Sequence, residues 1–199
     1  GLHHVYNAMA SAAAASAAGF DIRTISEGLG AFRPFSGRME IKKLRNSSFL
    51  LDDSYNANPA SVREALMTLK DLKAGHNGYV FLGDMLELGE KAEEMHRKIG
   101  MLMATIGVNA LFLQGDFADV TKDGAIEGGM TPENIFFLSA GDDFIDYLKK
   151  YLKKGDWILV KGSRRMKMEK IASRICDDFG IEKVNGDNKT INESGVKLN

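Results

Sequence analysis

The sequence predicts an α/β fold: a mostly parallel sheet with helices on both faces. Three observations predict it. Between positions 37 and 180, short apolar runs alternate with longer amphipathic ones, the strand–helix rhythm of repeated β-α units. The connections between them are short, which favours crossovers that return each strand parallel to the last. Three strand-like runs also exit into polar clusters, at Asp52-Asp53-Ser54-Tyr55-Asn56, at Gly83-Asp84 and at Lys161-Gly162-Ser163-Arg164. An open α/β sheet presents its chemistry at such carboxyl ends.

The elements follow in order. Leu2 to Ala18 is dominated by alanine, the best helix former, and Gly19 is a natural stop. So many small residues suit a helix packed closely against a neighbour. Asp21 is a candidate cap for a second helix carrying Ile22, Ile25 and Leu29 and ending near Gly30. Arg33 to Gly37 is turn material and the expected domain boundary. Met39 to Leu44 and Phe49 to Asp53 read as a hairpin across Arg45-Asn46-Ser47.

Pro59 to Lys73 places Val62, Leu66, Leu69 and Leu72 on one helical face. Tyr79 to Leu82 is a buried strand. Lys91 to Ile106 is an amphipathic helix, Leu111 to Leu113 a strand, and Phe117 to Ile126 a weaker helix. Ile135 to Leu138, Asp142 to Leu152, Trp157 to Val160 and Met166 to Phe179 complete the alternation as strand, helix, strand and helix. The tail from Ile181 to Asn199 is polar and glycine-containing and reads as flexible. There is no internal repeat.

Composition narrows the function classes. The 199 residues carry 44% hydrophobic and 27% charged side chains, an ordinary globular balance. A formal net charge of -1 gives no electrostatic reason to expect nucleic acid or a membrane surface. Cys176 is the only cysteine, so there is neither an internal disulfide nor a cysteine cluster for zinc, which suits a reducing cytosol. No apolar run reaches the roughly 20 residues of a membrane helix. The first residues lack an initiator Met and a basic leader and open mid-helix, so the chain reads as the C-terminal portion of a longer protein.

A phosphate loop of the G-x-x-x-x-G-K-[ST] type is absent, as is a G-x-G-x-x-G turn after the first strand. The chain therefore does not cradle a triphosphate by itself. Asp52 and Asp53 at a strand exit suit a carboxylate accepting from paired hydroxyls, as a ribose offers. The competing reading is a solvated turn with Asp as a local cap. Asn58-Pro59 fits N-cap and N1 of a helix, so part of N-A-N-P is local structure; Tyr55 and Asn56 are harder to explain that way. Arg38 could clamp phosphate or carboxylate, or sit solvated. Lys161, Ser163 and Arg164 place cations and a hydroxyl near a helix start, where backbone amides already favour anions; a basic surface turn is the alternative. His3 and His4 point about 100° apart on a helix, so a shared metal is not expected. His96 reads as a structural group.

The motifs in order are H-H-V-Y-N-A-M-A, S-G-R-M-E, D-D-S-Y-N-A-N-P, L-G-D-M-L-E-L-G-E with E-M-H-R, and V-K-G-S-R-R-M-K-M-E, spanning Gly1 to about Phe179. Together they resemble the Mur ligase family, which builds the peptide stem of bacterial peptidoglycan. Within it they are most similar to the branch that joins D-alanyl-D-alanine to UDP-N-acetylmuramoyl-tripeptide. The resemblance implies that residues 1–36 are the last helices of a central ATPase domain. Residues 37–180 would then form the C-terminal Rossmann-like ligase domain, with 181–199 as the tail. It places Asn7 at adenine, Asp53 at ribose, and Arg38 at the ribose-phosphate side of ATP. It sets Asn56, Asn58, Ser163 and Arg164 on the side of the incoming D-alanyl-D-alanine, and counts Tyr55, Asp84 and Lys161 among the substrate-binding residues.

The implied cofactors are ATP and Mg²⁺ in the full-length enzyme, with no metal ligand and no certain catalytic residue in this chain. A cytoplasmic monomer with no nucleic-acid or membrane partner is expected. By the same resemblance, ATP phosphorylates the tripeptide carboxylate, the dipeptide amine attacks the acyl phosphate, and phosphate leaves. Magnesium neutralises the triphosphate, and closure of the C-terminal domain positions the amine and excludes water. The chain alone should be inactive. Two positions depart from the family pattern: His3-His4 where His-Asn is usual, and Arg165 where a small residue is common. A stand-alone binding module is the alternative from another class, and D-S-Y-N-A-N-P argues against the folylpolyglutamate synthase branch.

Overall fold

A computed structural model describes residues 2–32, 35–138 and 144–182 of the chain. Helices α1 (Leu2–Ala17) and α2 (Ile22–Ala31) come first. They are followed by β1 (Glu40–Lys43), β2 (Phe49–Asp53), α3 (Pro59–Lys73), β3 (Gly78–Gly83), α4 (Ala92–Thr105) and β4 (Ala110–Gln114). Then come α5 (Ala118–Glu127), β5 (Ile135–Phe137), α6 (Phe144–Tyr151), β6 (Trp157–Lys161) and α7 (Glu169–Phe179). The strands form one Rossmann-like sheet in the order β1-β2-β6-β3-β4-β5. Among these strands only the edge strand β1 runs antiparallel to its neighbour.

Local chemistry explains the boundaries. In the β1–β2 turn, Leu44 N donates to Ser48 O and Ser47 N to Leu44 O, both at 2.9 Å. The Asn46 side chain accepts from both the amide and the hydroxyl of Ser48, an Asx-type turn. Helix α2 starts where Asp21 accepts from Thr24 N at 2.8 Å. Helix α3 starts at Asn58, which accepts from Ser61 N at 2.8 Å while Ser61 Oγ accepts from Asn58 N at 3.1 Å. Pro59 at N1 gives up an amide that had no helical partner anyway.

The two faces of the sheet are covered by different helices. Val80 and Leu82 of β3 pack with Leu66 and Leu69 of α3 and Met103 of α4 on one side. Tyr79 and Phe81 pack with Ile145 and Leu148 of α6 and Ile175 of α7 on the other. Strands β3 and β6 are buried along their whole length, as parallel strands sheathed on both faces are. Helices α4 and α5 cross unusually closely. A Cβ on Gly100 would stand 2.1 Å from Thr121 O, and one on Gly124 would stand 2.1 Å from Arg97 O.

Three expectations need correction. The last helix does not start at Met166: residues Arg164–Met166 form a 3-10 turn, Lys167 adopts a left-handed φ of 54°, and α7 begins at Glu169. The tail is not free at its first residues. Ile181 bridges Leu44, Glu182 N donates to Lys43 O at 2.9 Å, and the Glu182 and Lys43 side chains pair. An edge strand with unpaired backbone groups offers such a template. The amphipathic segment at Lys91 is likewise divided, with Gly89–Lys91 as a 3-10 turn before α4. Arg33 and Pro34 of the expected boundary, residues 139–143 around the expected start of α6, and residues 183–199 of the tail lie outside the described residues, as do the side chains of His3 and His4.

Helices α1 and α2 pack on each other but leave Val5, Tyr6, Met9, Phe20, Ile22 and Phe32 exposed. Between them runs an apolar groove of about 740 Å³. No helix among the described residues is long and apolar enough to cross a membrane.

Candidate functional site

Strand order makes the site. Because β6 lies between β2 and β3, the three polar exits named above end side by side, with Asp53 opposite Lys161 and Lys161 opposite Leu82 in the register. Two glycines let β3 and β6 leave the sheet in contact. A Cβ on Gly83 would come within 2.9 Å of Met166, and one on Gly162 within 2.6 Å of Met168.

Asp53 is the centre of the rim. Its Oδ1 accepts from Met39 N at 3.1 Å, and its Oδ2 accepts from the Lys161 ammonium. Lys161 is 1% exposed and donates also to Asn56 O at 2.9 Å. Burial pushes the Lys161 ammonium below the usual lysine range, the Asp53 carboxylate opposes that shift, and the Arg38 charge adds to it. Its neighbour Asp52 points away, buried and held by Lys42 at 2.7 Å and by Ser54 Oγ at 2.6 Å. Adjacent strand residues face opposite sides of a sheet, so only one of the pair can serve the cleft.

Tyr55 follows at the elbow. Its amide donates to Gly37 O at 2.9 Å, and its ring lies under the Arg38 guanidinium at 4.1 Å and that of Arg164 at 5.4 Å. Gly37 has a φ of +72°, and a Cβ there would press on Ser54 Oγ at 3.1 Å, so glycine permits this approach. Two guanidinium groups over one ring give this elbow a positive field suited to phosphate or carboxylate oxygens.

A cleft of about 580 Å³ opens over this rim. Asn7 of α1 reaches it from one side, and Arg38, Asp53, Tyr55, Asn56, Asn58 and Lys161 line the rest. The other expected residues are placed differently. Ser163 is buried, donates from Oγ to Ala57 O at 3.2 Å and accepts there from Leu86 N at 2.8 Å, so its hydroxyl ties three rim loops together. Asn58 caps α3, and the Asn56 side chain accepts from Arg164 N at 3.4 Å. Arg164 is exposed and lies 3.6 Å from Glu169.

Asp84 turns beneath the rim instead of into the cleft. It is 4% exposed, and its carboxylate accepts from Asp116 N at 2.7 Å and Phe117 N at 3.2 Å. Burial raises its carboxyl above the usual range, against the pull of those two amides. His96 is structural, as the sequence suggests. Its Nε2 accepts from Met85 N at 3.0 Å, which leaves Nδ1 to donate to Ala92 O at 2.7 Å, and the ring stacks on Phe117.

The residues that sequence reading missed are those defined by partners far along the chain. Gly115 has a φ of +125°, and a Cβ on it would fall 2.2 Å from the Asp84 carboxylate. Met39 holds a left-handed φ of 53°, which aims its amide at Asp53. Glu64 of α3 also lines the cleft. Among the described residues no group of three or more His, Cys, Asp or Glu side chains could hold a metal ion. The rim therefore offers acceptors for hydroxyls and cations for anions.

The chain is similar in sequence and fold to known proteins. The curated UDP-N-acetylmuramoyl-tripeptide–D-alanyl-D-alanine ligase of Bacillus subtilis is 29% identical over 177 residues, covering 89% of this chain and 38% of that protein. The protein of the same name from Treponema pallidum is 33% identical over 172 residues, covering 86% and 36%. The chain thus spans little more than a third of the length of these relatives. A crystal structure of MurF from Acinetobacter baumannii matches with a TM-score of 0.77 at 26% identity, over 89% of this chain and 38% of that one. MurF from Thermotoga maritima in complex with ADP shares the fold, with a TM-score of 0.63 at 21% identity over 79% of this chain and 36% of that one. The family described as Mur ligase, glutamate ligase domain, matches residues 37–164, the stretch that runs from the Gly37 turn to Arg164 on the rim. The chain belongs to the Mur ligase family.

Proposed function

We propose that the chain is the C-terminal part of an ATP-dependent amide ligase that adds D-alanyl-D-alanine to UDP-N-acetylmuramoyl-tripeptide through an acyl phosphate. The observation that carries this reading is the meeting of Asp53, Arg38 and Tyr55 at one cleft that Asn7 reaches from helix α1. Asp53 accepts hydrogen bonds from the two ribose hydroxyls, Arg38 faces the phosphate side, and Asn7 faces the adenine. Arg164, whose guanidinium also lies over the Tyr55 ring, meets the carboxylate of the incoming dipeptide. The relatives' printed names support the substrate pair, and the 37–164 match supports the ligase family.

In this reading residues 1–36 close the central ATP-binding domain, whose body covers the apolar side chains that α1 and α2 leave exposed. Residues 37–180 are the ligase domain. The tripeptide carboxylate displaces ADP from the γ-phosphorus to form the acyl phosphate. The dipeptide amine adds to the acyl carbon, and the tetrahedral intermediate expels inorganic phosphate to leave the amide. Residues of this chain orient the nucleotide and the amine and exclude water from the acyl phosphate, which is an entropic and protective contribution. When bound, Mg²⁺ offsets the charge of the triphosphate; its ligands and the phosphate loop come from outside these 199 residues. The enzyme acts as a cytoplasmic monomer, without nucleic-acid or membrane partners.

The assay is phosphate release coupled to amide formation, with ATP, Mg²⁺, the UDP-tripeptide and D-alanyl-D-alanine. The full-length protein is expected to need all of them for turnover, and the 199-residue chain is expected to release no phosphate. Turnover by the full-length protein with another amine but none with D-alanyl-D-alanine would overturn the substrate assignment. Ligation by the chain alone would overturn the division of labour.

A further inference from the structure

Among the described residues Lys161 is the one fully buried lysine or arginine, and nothing in the ligase reading requires that burial. An ammonium is held out of water only when its protons are matched, and Lys161 matches two, to Asp53 Oδ2 and to Asn56 O. The other oxygen of Asp53 is taken by Met39 N, on a backbone whose positive φ a side-chain-bearing residue rarely adopts. The carboxylate is thus gripped at both oxygens, by β6 on one side and by the segment carrying Arg38 on the other. Each carboxylate oxygen has two lone pairs, so one on each remains for a partner in the cleft that Asp53 lines. Two coplanar acceptors held in that way suit a vicinal diol.

We infer that Lys161 is a positioning residue for the nucleotide: it fixes the Asp53 carboxylate for the ribose diol and ties the Asn56 carbonyl to it, without touching the dipeptide. This role rests on the assignment of Asp53 to ribose, and it gives Lys161 to the nucleotide instead of counting it among the substrate-binding residues.

The test compares ATP with its dideoxy analogue, which lacks both ribose hydroxyls, in the full-length protein. A hydrogen-bonded charged acceptor should favour ATP by about 10- to 100-fold in kcat/KM. Asp53→Ala should erase that preference. If it does not, the ribose assignment itself fails. Given that Asp53→Ala erases it, Lys161→Met should erase it too, with the KM for D-alanyl-D-alanine nearly unchanged. A Lys161→Met enzyme that keeps the preference, or loses dipeptide affinity instead, overturns the positioning role while leaving Asp53 at the ribose. Lys161→Met leaves the partly buried Asp53 carboxylate without its cation, so the double variant Asp53→Ala/Lys161→Met covers a failure to fold, since it removes both charges together. It should match Asp53→Ala alone in its KM for ATP. A further rise in the double variant would show that Lys161 acts independently of Asp53.

Discussion

Gly124→Ala is expected to destabilise the protein by about 3 kcal/mol, the upper end for an overpacked core. The reason is the crossing of α4 and α5. The added Cβ would lie 2.1 Å from Arg97 O, 2.8 Å from Arg97 C and 2.9 Å from Arg97 Cα, all of them helix backbone. A flexible side chain could swing away, but α4 must shift bodily, and α4 carries Ile99 and Met103 into the core beneath the sheet. A loss of that size should lower Tm by roughly 6 to 12 °C for a chain of this length. The control is Gly28→Ala in α2, where a Cβ meets nothing within 4 Å. Removing backbone freedom from a helical site should leave it within about 1 kcal/mol of the parent, on the stabilising side. Equal melting temperatures for Gly124→Ala and the parent would mean that the helices are not packed this closely.

Asp53→Ala should raise the KM for ATP in the full-length enzyme by about 10- to 100-fold, the worth of hydrogen bonds to a charged acceptor. The KM for the UDP-tripeptide should stay near its parent value, because nothing places Asp53 near that substrate. Asp52→Ala makes an instructive contrast. Asp52 is the carboxylate that faces away, held by Lys42 and Ser54. Its loss strands the Lys42 ammonium beside Glu40 and should appear as lowered stability, not as weaker nucleotide binding. Equal effects of the two substitutions on the KM for ATP would mean that the strand exit does not sort its carboxylates between core and cleft.

Much of this was legible because the sequence writes local geometry in local residues. Asn58, Pro59 and Ser61 set the start of α3, and the β2 run closes at Asp53 as its apolar residues give out. Polar residues after three separate strands implied one rim, since parallel strands all end on the same side. What stayed hidden depends on partners distant in sequence. Asp84 reads as a cleft acid from its loop alone. It becomes a buried anchor only because Gly115, at a positive φ, brings the amides of Asp116 and Phe117 to it from the next crossover. That Lys161 pairs with Asp53 is hidden until β6 is inserted beside β2, an order that chain sequence does not state. The glycines of α4 and α5 break no hydrophobic period, so nothing in either helix announces that the two touch. Ile181 and Glu182 look like tail until the open edge of β1 is in view.

The central claim is that the rim of β2, β6 and β3 holds the nucleotide ribose at Asp53, with Asn7 and Arg38 on either side of it. A crystal structure of the full-length protein with a non-hydrolysable ATP analogue tests this most directly. Both ribose hydroxyls are expected within hydrogen-bond distance of the Asp53 carboxylate, the adenine beside Asn7, and Arg38 toward the phosphates. A nucleotide fully bound with its ribose away from Asp53 would contradict it.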